Sequence, residues 1–125
     1  MVYIYVGIAG FFGALLRYLL GLGLTGTSTV FPVATLTINL IGSFLLAWLT
    51  TVIFQKMPLA PPVKTAIGTG FVGSFTTFST LSVETVELFR GGHLVMAFLY
   101  ILLSFAGGLA LSRLGFRVHK GGESV

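Results

Sequence analysis

The chain has 125 residues, 55% of them hydrophobic and 8% charged, with a mean hydropathy of +1.03 and a net charge of +4. Roughly a quarter of the residues in a soluble domain are charged, so the composition predicts an integral membrane protein, and the lack of cysteine excludes disulfides and thiolate chemistry. The basic residues are scattered over predicted helix ends and a short tail, which fits membrane anchoring better than binding to nucleic acid.

Four apolar runs, each close to the roughly 20 residues that cross a bilayer, follow one another along the chain. We place the membrane helices at residues 3–24, 33–54, 64–89 and 94–114. The expected fold class is therefore an all-α membrane protein with four transmembrane helices. Its expected organisation is a single transmembrane domain, residues 1–114, followed by a polar C-terminal tail, residues 115–125.

The distribution of Lys and Arg predicts how the chain is oriented. If both termini lie on one side of the membrane, that side holds five basic residues: Lys56, Lys64, Arg113, Arg117 and Lys120. The other side holds Arg90 alone, and Arg17 falls within the first span. Because basic residues are enriched on the cytoplasmic side, this bias predicts cytoplasmic termini for a multi-pass protein of the inner, or plasma, membrane.

The third apolar run is unlike the others, because glycines and hydroxyl residues are concentrated between Gly68 and Leu81. Glycine costs about 1 kcal/mol relative to alanine inside a helix, and Ser and Thr compete for backbone partners. These residues predict an interruption of the third helix at membrane depth. Interruptions of this kind are tolerated where the freed backbone is buried in protein or lines a wet cavity, and in transport proteins they mark ion sites.

Small and polar residues recur at helical spacing on the other three predicted helices. They are Gly7, Gly10, Ala14, Arg17 and Gly21 on the first, Thr35, Asn39, Gly42 and Ser43 on the second, and Ala97, Tyr100, Ser104, Gly107 and Gly108 on the fourth. Small residues let helix backbones approach closely in a membrane, so ordinary packing accounts for most of these positions.

Several of these polar positions have two possible roles. Arg17 either reaches the headgroups and helix-end carbonyls or supplies positive potential to an anion vestibule. Asn39 either bonds between helices or points its NH2 group into a pore, and the hydroxyl groups of Tyr100 and Ser104 are candidate donors along the same polar track. Glu84 either sits at a solvated helix end or faces the aqueous end of a conduction path.

The aromatic residues at the predicted break point to an anion. Phe75 and Phe78 flank the pair Thr76-Thr77, and an aromatic ring presents a positive edge because of its quadrupole. A dehydrating anion would meet ring edges, amide protons and hydroxyl protons there without meeting a full charge. Conduction requires weak binding at several sites of this kind.

Three motifs resemble the Fluc family of small fluoride channels, also called CrcB. They are G-F-F-G-A-L-L-R-Y at residues 10–18, T-L-T-I-N-L-I-G-S-F at 35–44, and G-F-V-G-S-F-T-T-F-S-T-L-S-V-E at 70–84. The resemblance covers nearly the whole chain, and the third motif is the most specific of the three.

The resemblance implies an antiparallel, dual-topology dimer that passively and selectively exports cytoplasmic fluoride and so reduces its toxicity. It also implies a structural sodium ion at the dimer interface, held by the backbone carbonyls of Gly73 and Thr76. The implied fluoride path is lined or shaped by Asn39, Phe78, Thr77, Ser79, Thr80, Leu81, Tyr100 and Ser104, with Arg17 and Glu84 at its ends.

Three features depart from the family pattern. Gly108 stands where a second Ser is frequent, which weakens the polar track. Leu81 stands where a second Phe is common, and an alkyl side chain has no positive edge. The five-to-one charge bias fixes the insertion of one orientation, which allows a heterodimer with an oppositely oriented paralogue. We favour a homodimer in contact with membrane lipid, and we expect no nucleic acid partner.

Two other functions fit the same length and hydropathy. One is a proton-coupled exporter of the small multidrug type, which depends on a carboxylate in its first helix, whereas the first helix here contains Arg17 and no acid. The other is a membrane scaffold that transports nothing. An enzyme is not expected, because no constellation of catalytic residues is present.

Overall fold

The structure, a computed structural model, describes residues 1–24 and 30–121, and this part of the chain is built from helices. The helices are α1 (Val2–Leu24), α2 (Val33–Lys56), α3 (residues 61–75), α4 (Phe78–Arg90) and α5 (Leu94–Gly121). Three of them, α1, α2 and α5, are long and apolar enough to cross a membrane. Most of the linker predicted at 25–32 and the end of the tail, including Glu123, lie outside the described residues.

Two closely packed helix pairs form the framework, α2 with α5 and α1 with α3. In the second pair the backbones touch, because a side chain at Gly13 would collide with the backbone carbonyl of Phe71. A side chain at Gly70 would likewise lie 2.7 Å from the carbonyl oxygen of Val6. Of the glycines predicted to form the stripe on the first helix, Gly10 meets α3, because a Cβ there would lie 3.0 Å from the hydroxyl oxygen of Ser74. Gly7 and Gly21 have no neighbour within 4 Å of an added Cβ, and Gly13, which makes the closest contact, was not part of the predicted stripe.

Two helices contain wide, π-type turns, over Leu49–Ile53 in α2 and over Ala66–Val72 in α3. In α2 the hydroxyl of Thr50 donates to the carbonyl of Leu46 at 2.8 Å, and the hydroxyl of Thr51 donates to the carbonyl of Ala47 at 2.7 Å. Such back-bonding competes with the backbone ladder and is a known cause of local distortion in helices.

The last helix ends later than the sequence predicted. α5 continues past Leu114 to Gly121, and Gly115 is buried against α2. A Cβ atom on Gly115 would lie 2.8 Å from the carbonyl oxygen of Phe44, so the start of the predicted tail belongs to the helix packing. Hydropathy indicates where apolar residues stop, whereas a helix continues until its backbone is interrupted.

The exterior of the described helices is strongly apolar. Large hydrophobic side chains such as Phe11, Leu19, Phe105 and Leu109 are exposed, whereas the buried ones form a small core that includes Phe75 and Tyr100. In water such a surface would associate, so it indicates a lipid environment or a partner chain.

Candidate functional site

The backbone leaves helical geometry between α3 and α4. Thr76 has φ −82° and ψ 161°, and Thr77 has φ −150° and ψ 122°, so both residues are extended. Thr77 also caps α4, because its hydroxyl oxygen accepts a hydrogen bond from the backbone N–H of Thr80 at 3.2 Å. The two Thr residues between Phe75 and Phe78 therefore form the break itself.

One side chain on α2 satisfies the backbone that the break sets free. The amide of Asn39 donates to the carbonyl of Thr77 at 2.9 Å and accepts from the N–H of Thr77 at 2.8 Å. Both backbone polar groups of this extended residue are thus paired. Asn39 makes the interhelical bond that was one of its two predicted roles, and this bond uses one of its two N–H donors.

A cavity of about 300 Å³ lies at the break. We call it the break cavity, and it is lined by Asn39, Gly42, Ser43, Leu46, Gly68, Val72, Gly73, Thr76, Thr77, Phe78 and Leu81. The ring of Phe78 is 76% exposed, so it is available to a ligand or to a second chain. No carboxylate lines this cavity.

Gly42 brings α2 against the break. A side chain at this position would collide with the methyl group of Thr76, and the glycine is buried. The close approach places Asn39, one turn earlier on the same face of α2, within reach of Thr77.

A second cavity, of about 280 Å³, begins on the other side of Thr77. We call it the arginine cavity, and it is lined by Arg17, Tyr18, Gly21, Ala34, Thr35, Ile38, Thr77, Thr80 and Glu84. Because Thr77 lines both the break cavity and the arginine cavity, the two lie next to each other. The hydroxyl of Thr77 donates to the hydroxyl of Thr80 at 3.1 Å, so a pair of hydroxyl groups stands at this junction.

The carboxylate of Glu84 is held by neutral donors from two other helices. The hydroxyl of Thr35 on α2 donates to its Oε1 at 2.8 Å, and the hydroxyl of Tyr100 on α5 donates to its Oε2 at 2.8 Å. Tyr100 is fully buried, and its ring packs against that of Phe31 at 5.6 Å between centroids. The position of the carboxylate is therefore fixed from both sides.

A third cavity, of about 180 Å³, lies beyond Glu84 at the C-terminal end of α4. We call it the histidine cavity, and it is lined by Val30, Pro32, Glu84, Glu87, Leu88 and His93. Glu84 lines this cavity as well as the arginine cavity, just as Thr77 lines the two cavities nearer the break. The three cavities form a series that follows α4 from its first residue to its last turn.

The helix break also leaves one carbonyl short of partners. In a continuous helix the N–H of Thr77 would bond to the carbonyl of Gly73, but here it bonds to Asn39. The carbonyl of Gly73 receives only a 3.4 Å contact from the hydroxyl of Thr76. Carbonyl oxygens freed at the end of a half-helix are suitable ligands for a hard cation. Acidic and histidine side chains do not cluster into a metal site anywhere in the described residues.

Most of the predicted site residues lie in this series of cavities, namely Arg17, Asn39, Thr77, Phe78, Thr80, Leu81 and Glu84. Tyr100 contributes only through its bond to Glu84, Ser79 is exposed on α4, and neither lines one of the three cavities. The buried hydroxyl of Ser104 has no hydrogen-bond partner among the described residues and also lies outside the three cavities.

Sequence reasoning did not assign a site role to Thr35, Ser43 or His93. Thr35 and Ser43 belong to the polar face recognised on the second predicted helix, and that spacing was the available signal. The hydroxyl of Ser43 donates to the carbonyl of Asn39 at 2.9 Å, which ties it to the break. His93 has no comparable signal, because it stands alone in a short turn between two helices.

Known proteins match this chain along most of its length. A family described as "CrcB-like protein, Camphor Resistance (CrcB)" matches residues 4–116. A protein of Desulfitobacterium hafniense (strain Y51) named "Fluoride-specific ion channel FluC 1" is 63% identical over 109 residues, which cover 87% of this chain and 95% of that protein.

Two relatives from other bacteria have related names. "Fluoride-specific ion channel FluC 2" of Geobacillus kaustophilus (strain HTA426) is 56% identical over 118 residues, 93% of this chain and 91% of that protein. A protein of Listeria innocua serovar 6a, also named "Fluoride-specific ion channel FluC 2", is 46% identical over 117 residues, 94% of this chain and 89% of that protein.

Proposed function

Because the chain belongs to the CrcB-like family, we propose that it is a fluoride-specific ion channel, through which cytoplasmic fluoride leaves the cell passively. The observation that supports this function best is the break at Thr76 and Thr77. Asn39 stabilises the extended backbone there with two hydrogen bonds, and no carboxylate lines the adjacent break cavity. The chain is an integral membrane protein, and its relatives are named as channels and not as enzymes.

We propose that α3 and α4 together cross the bilayer as one interrupted span. Gly42 lies near the middle of α2 and touches Thr76, so the break is about halfway along a helix long enough to span the membrane. α3 and α4 then complete a set of four spans with α1, α2 and α5. The charge bias supports an orientation with both termini in the cytoplasm.

Fluoride would exchange its water for donors of the protein at the break. The N-terminal end of α4 points its positive dipole at the break cavity, and the first N–H groups of a helix have no partner within it. The edge of the Phe78 ring and the second N–H of Asn39 would add weak donors, and Thr77, whose hydroxyl donates to Thr80, would shape the wall of the path. The absence of a full positive charge at this point would keep the ion from being trapped.

The other candidate residues would act before and after the break. Arg17 would raise the anion concentration in the arginine cavity, where Thr80 adds a hydroxyl group. Thr35 and Tyr100 would hold the carboxylate of Glu84 in a fixed position between the arginine cavity and the histidine cavity. Ser79 and Ser104 would complete the path in an assembled channel, and Leu81 would form an apolar part of the wall of the break cavity, one turn after Phe78 on α4.

A second copy of the chain, inserted in the opposite orientation, would enclose this path. α4 exposes charged and apolar residues together, including Val83, Val86, Glu87 and Arg90, and a mixed surface of this kind is poorly suited to lipid. A homodimer needs only this chain, whereas a heterodimer requires an oppositely oriented paralogue.

A structural sodium ion fits the same break in such a dimer. The residues that would hold it are Gly73 and Thr76, through their backbone carbonyls. The carbonyl of Gly73 supports this role because the N–H of Thr77, its partner in a continuous helix, bonds to Asn39 instead. Two copies of the chain would double the number of ligands. The ion would fix the two breaks relative to each other.

Fluoride efflux from liposomes that contain the purified protein tests the function. A channel should release fluoride rapidly down its gradient, recorded electrically and with a fluoride electrode, whether or not a proton gradient is present. Flux that requires a proton gradient would indicate a coupled exporter. No flux from protein that is folded and inserted would indicate a scaffold.

A further inference from the structure

The turn that joins α4 to α5 holds His93 in a fixed position. The N–H of His93 donates to the carbonyl of Leu88 at 2.9 Å, and the N–H of Gly91 donates to the carbonyl of Glu87 at 2.9 Å. Gly92 has φ +80°, a conformation that favours glycine, and so completes a helix-terminating motif. The imidazole ring lies over Gly91, where an added Cβ atom would be 3.1 Å from His93 Cδ2.

This turn places His93 in the wall of a cavity that two acidic residues also line. The histidine cavity is lined by Glu84 and Glu87 on α4 and by His93, while its remaining walls, Val30, Pro32 and Leu88, are apolar. Arg90 lies beside Glu87 in a separate groove on α4, and Arg17 lies in the arginine cavity beyond Glu84. Among the described residues that line the histidine cavity, only His93 can become positively charged.

We propose that His93 controls the supply of anions at this end of the path through its own protonation, an inference that rests on the proposed function. When the imidazole is neutral, the histidine cavity presents two carboxylates to an approaching anion. When it is protonated, its charge offsets one of them, and more fluoride reaches the arginine cavity. The fluoride current should therefore be higher when the imidazole is protonated than when it is neutral, and histidine is the side chain suited to such a change near physiological pH.

The size of the effect follows from Coulomb's law and screening. One unit charge about 7 Å from an anion in water changes its local concentration about threefold, so a two- to threefold change in current is expected at low ionic strength. The Debye length falls from about 30 Å at 0.01 M salt to about 3 Å at 1 M. The effect should therefore disappear in concentrated salt.

Currents of the assembled wild-type channel in planar bilayers, at low fluoride and low ionic strength, test the proposal at pH 8 and pH 5.5. Neutral hydrogen fluoride contributes no current, so its diffusion does not interfere. At both pH values His93→Gln should give the current that the wild type gives at pH 8. His93→Lys should give at both pH values the higher current that the wild type gives at pH 5.5. His119→Gln, which changes the chain's other histidine near the far end of α5, is the matched control and should behave like the wild type.

Each result decides for or against the role of His93. A His93→Gln channel that keeps the wild-type pH profile, or a pH effect that persists undiminished in 1 M salt, overturns it. A wild type that conducts fluoride equally at both pH values also overturns it and leaves the proposed function intact. A wild type that conducts no fluoride at either pH contradicts the proposed function itself. If His93→Lys does not fold, the pH profiles of His93→Gln and His119→Gln still test the role of His93.

Discussion

The helices on either side of the break, α3 and α4, are built differently. α3 packs on α1 with backbones in contact at Gly13 and Gly70, and its last residue, Phe75, is buried. α4 packs mainly against α5, and its first residue, Phe78, is largely exposed. This difference indicates that α3 anchors the break by its packing on α1, whereas α4 leaves side chains exposed that the proposed path and partner would use.

The charged residues are also distributed unequally between α3 and α4. Lys64 is the one charged residue of α3 and lies near its start, whereas α4 contains Glu84, Glu87 and Arg90. Two of the three cavities in the series lie on the α4 side of Thr77, and both are lined by charged side chains. Substitutions on the α3 side should therefore affect folding most strongly, and substitutions on the α4 side should affect transport.

The largest effect is expected at the contact between α1 and α3. Gly13→Val would drive a side chain into the carbonyl of Phe71, and overpacking of this kind typically costs about 1–3 kcal/mol and more where backbone is involved. The variant should lose most of its thermal stability in detergent. Gly7→Val on the same helix is the control, since nothing lies within 4 Å of a Cβ at Gly7. Equal stability of the two variants would contradict the anchoring role of α3.

Asn39→Ala should have the next largest effect, because it removes both bonds to the backbone of Thr77. Two buried groups left unpaired cost about 1–3 kcal/mol each, and the break should lose its fixed geometry. We expect at least a tenfold loss of fluoride flux, together with a lower melting temperature. Thr37→Ala, which removes only a bond within α2, should leave both measurements near wild type.

A moderate effect is expected around Glu84. Tyr100→Phe and Thr35→Val each remove one hydrogen bond to its carboxylate, and bonds to charged groups contribute about 1.5–3 kcal/mol. Each variant should be less stable than the wild type, and the double variant should show non-additivity because both donors bind one group. Thr85→Val, which loses a bond only within α4, is the control. Strict additivity would show that the two donors act independently.

Leu81→Phe should have the smallest effect. Leu81 lines the break cavity and also packs against the buried cluster of Leu88, Ala97 and Tyr100. A ring at this position would add a positive edge to the path, so flux should be preserved or increased by a few-fold. Leu103→Phe, on an exposed part of α5, should change nothing. If Leu81→Phe also leaves flux, selectivity and gating unchanged, Leu81 lies outside the path.

The sequence predicted the features that depend on local chemistry. Glycine and hydroxyl residues predicted a break between Gly68 and Leu81, and the backbone is extended at Thr76 and Thr77. The helical spacing on α2 predicted that Asn39 and Gly42 share a face, and both meet the break. The extended backbone and the shared face follow from propensity and helical periodicity, which act over a few residues. That the break interrupts a membrane span stays a prediction.

Features that depend on tertiary contacts could not be predicted in this way. The partner of Asn39 could not be named from the sequence, because the backbone of Thr77 is 38 residues away along the chain. The bonds from Thr35 and Tyr100 to Glu84 join residues far apart in sequence, so no spacing rule indicated them. The end of α5 was missed because residues after Leu114 are polar, yet Gly115 packs against α2 and the helix continues.

In the proposed function, fluoride passes at the break between α3 and α4. The most direct test compares fluoride flux through Phe78→Leu with flux through Phe105→Leu, since both rings are exposed and only Phe78 lines the break cavity. Phe78→Leu should lose most of the fluoride flux while the protein remains folded and inserted, and Phe105→Leu should conduct like the wild type. Equal flux through the two variants would contradict passage of fluoride at the break.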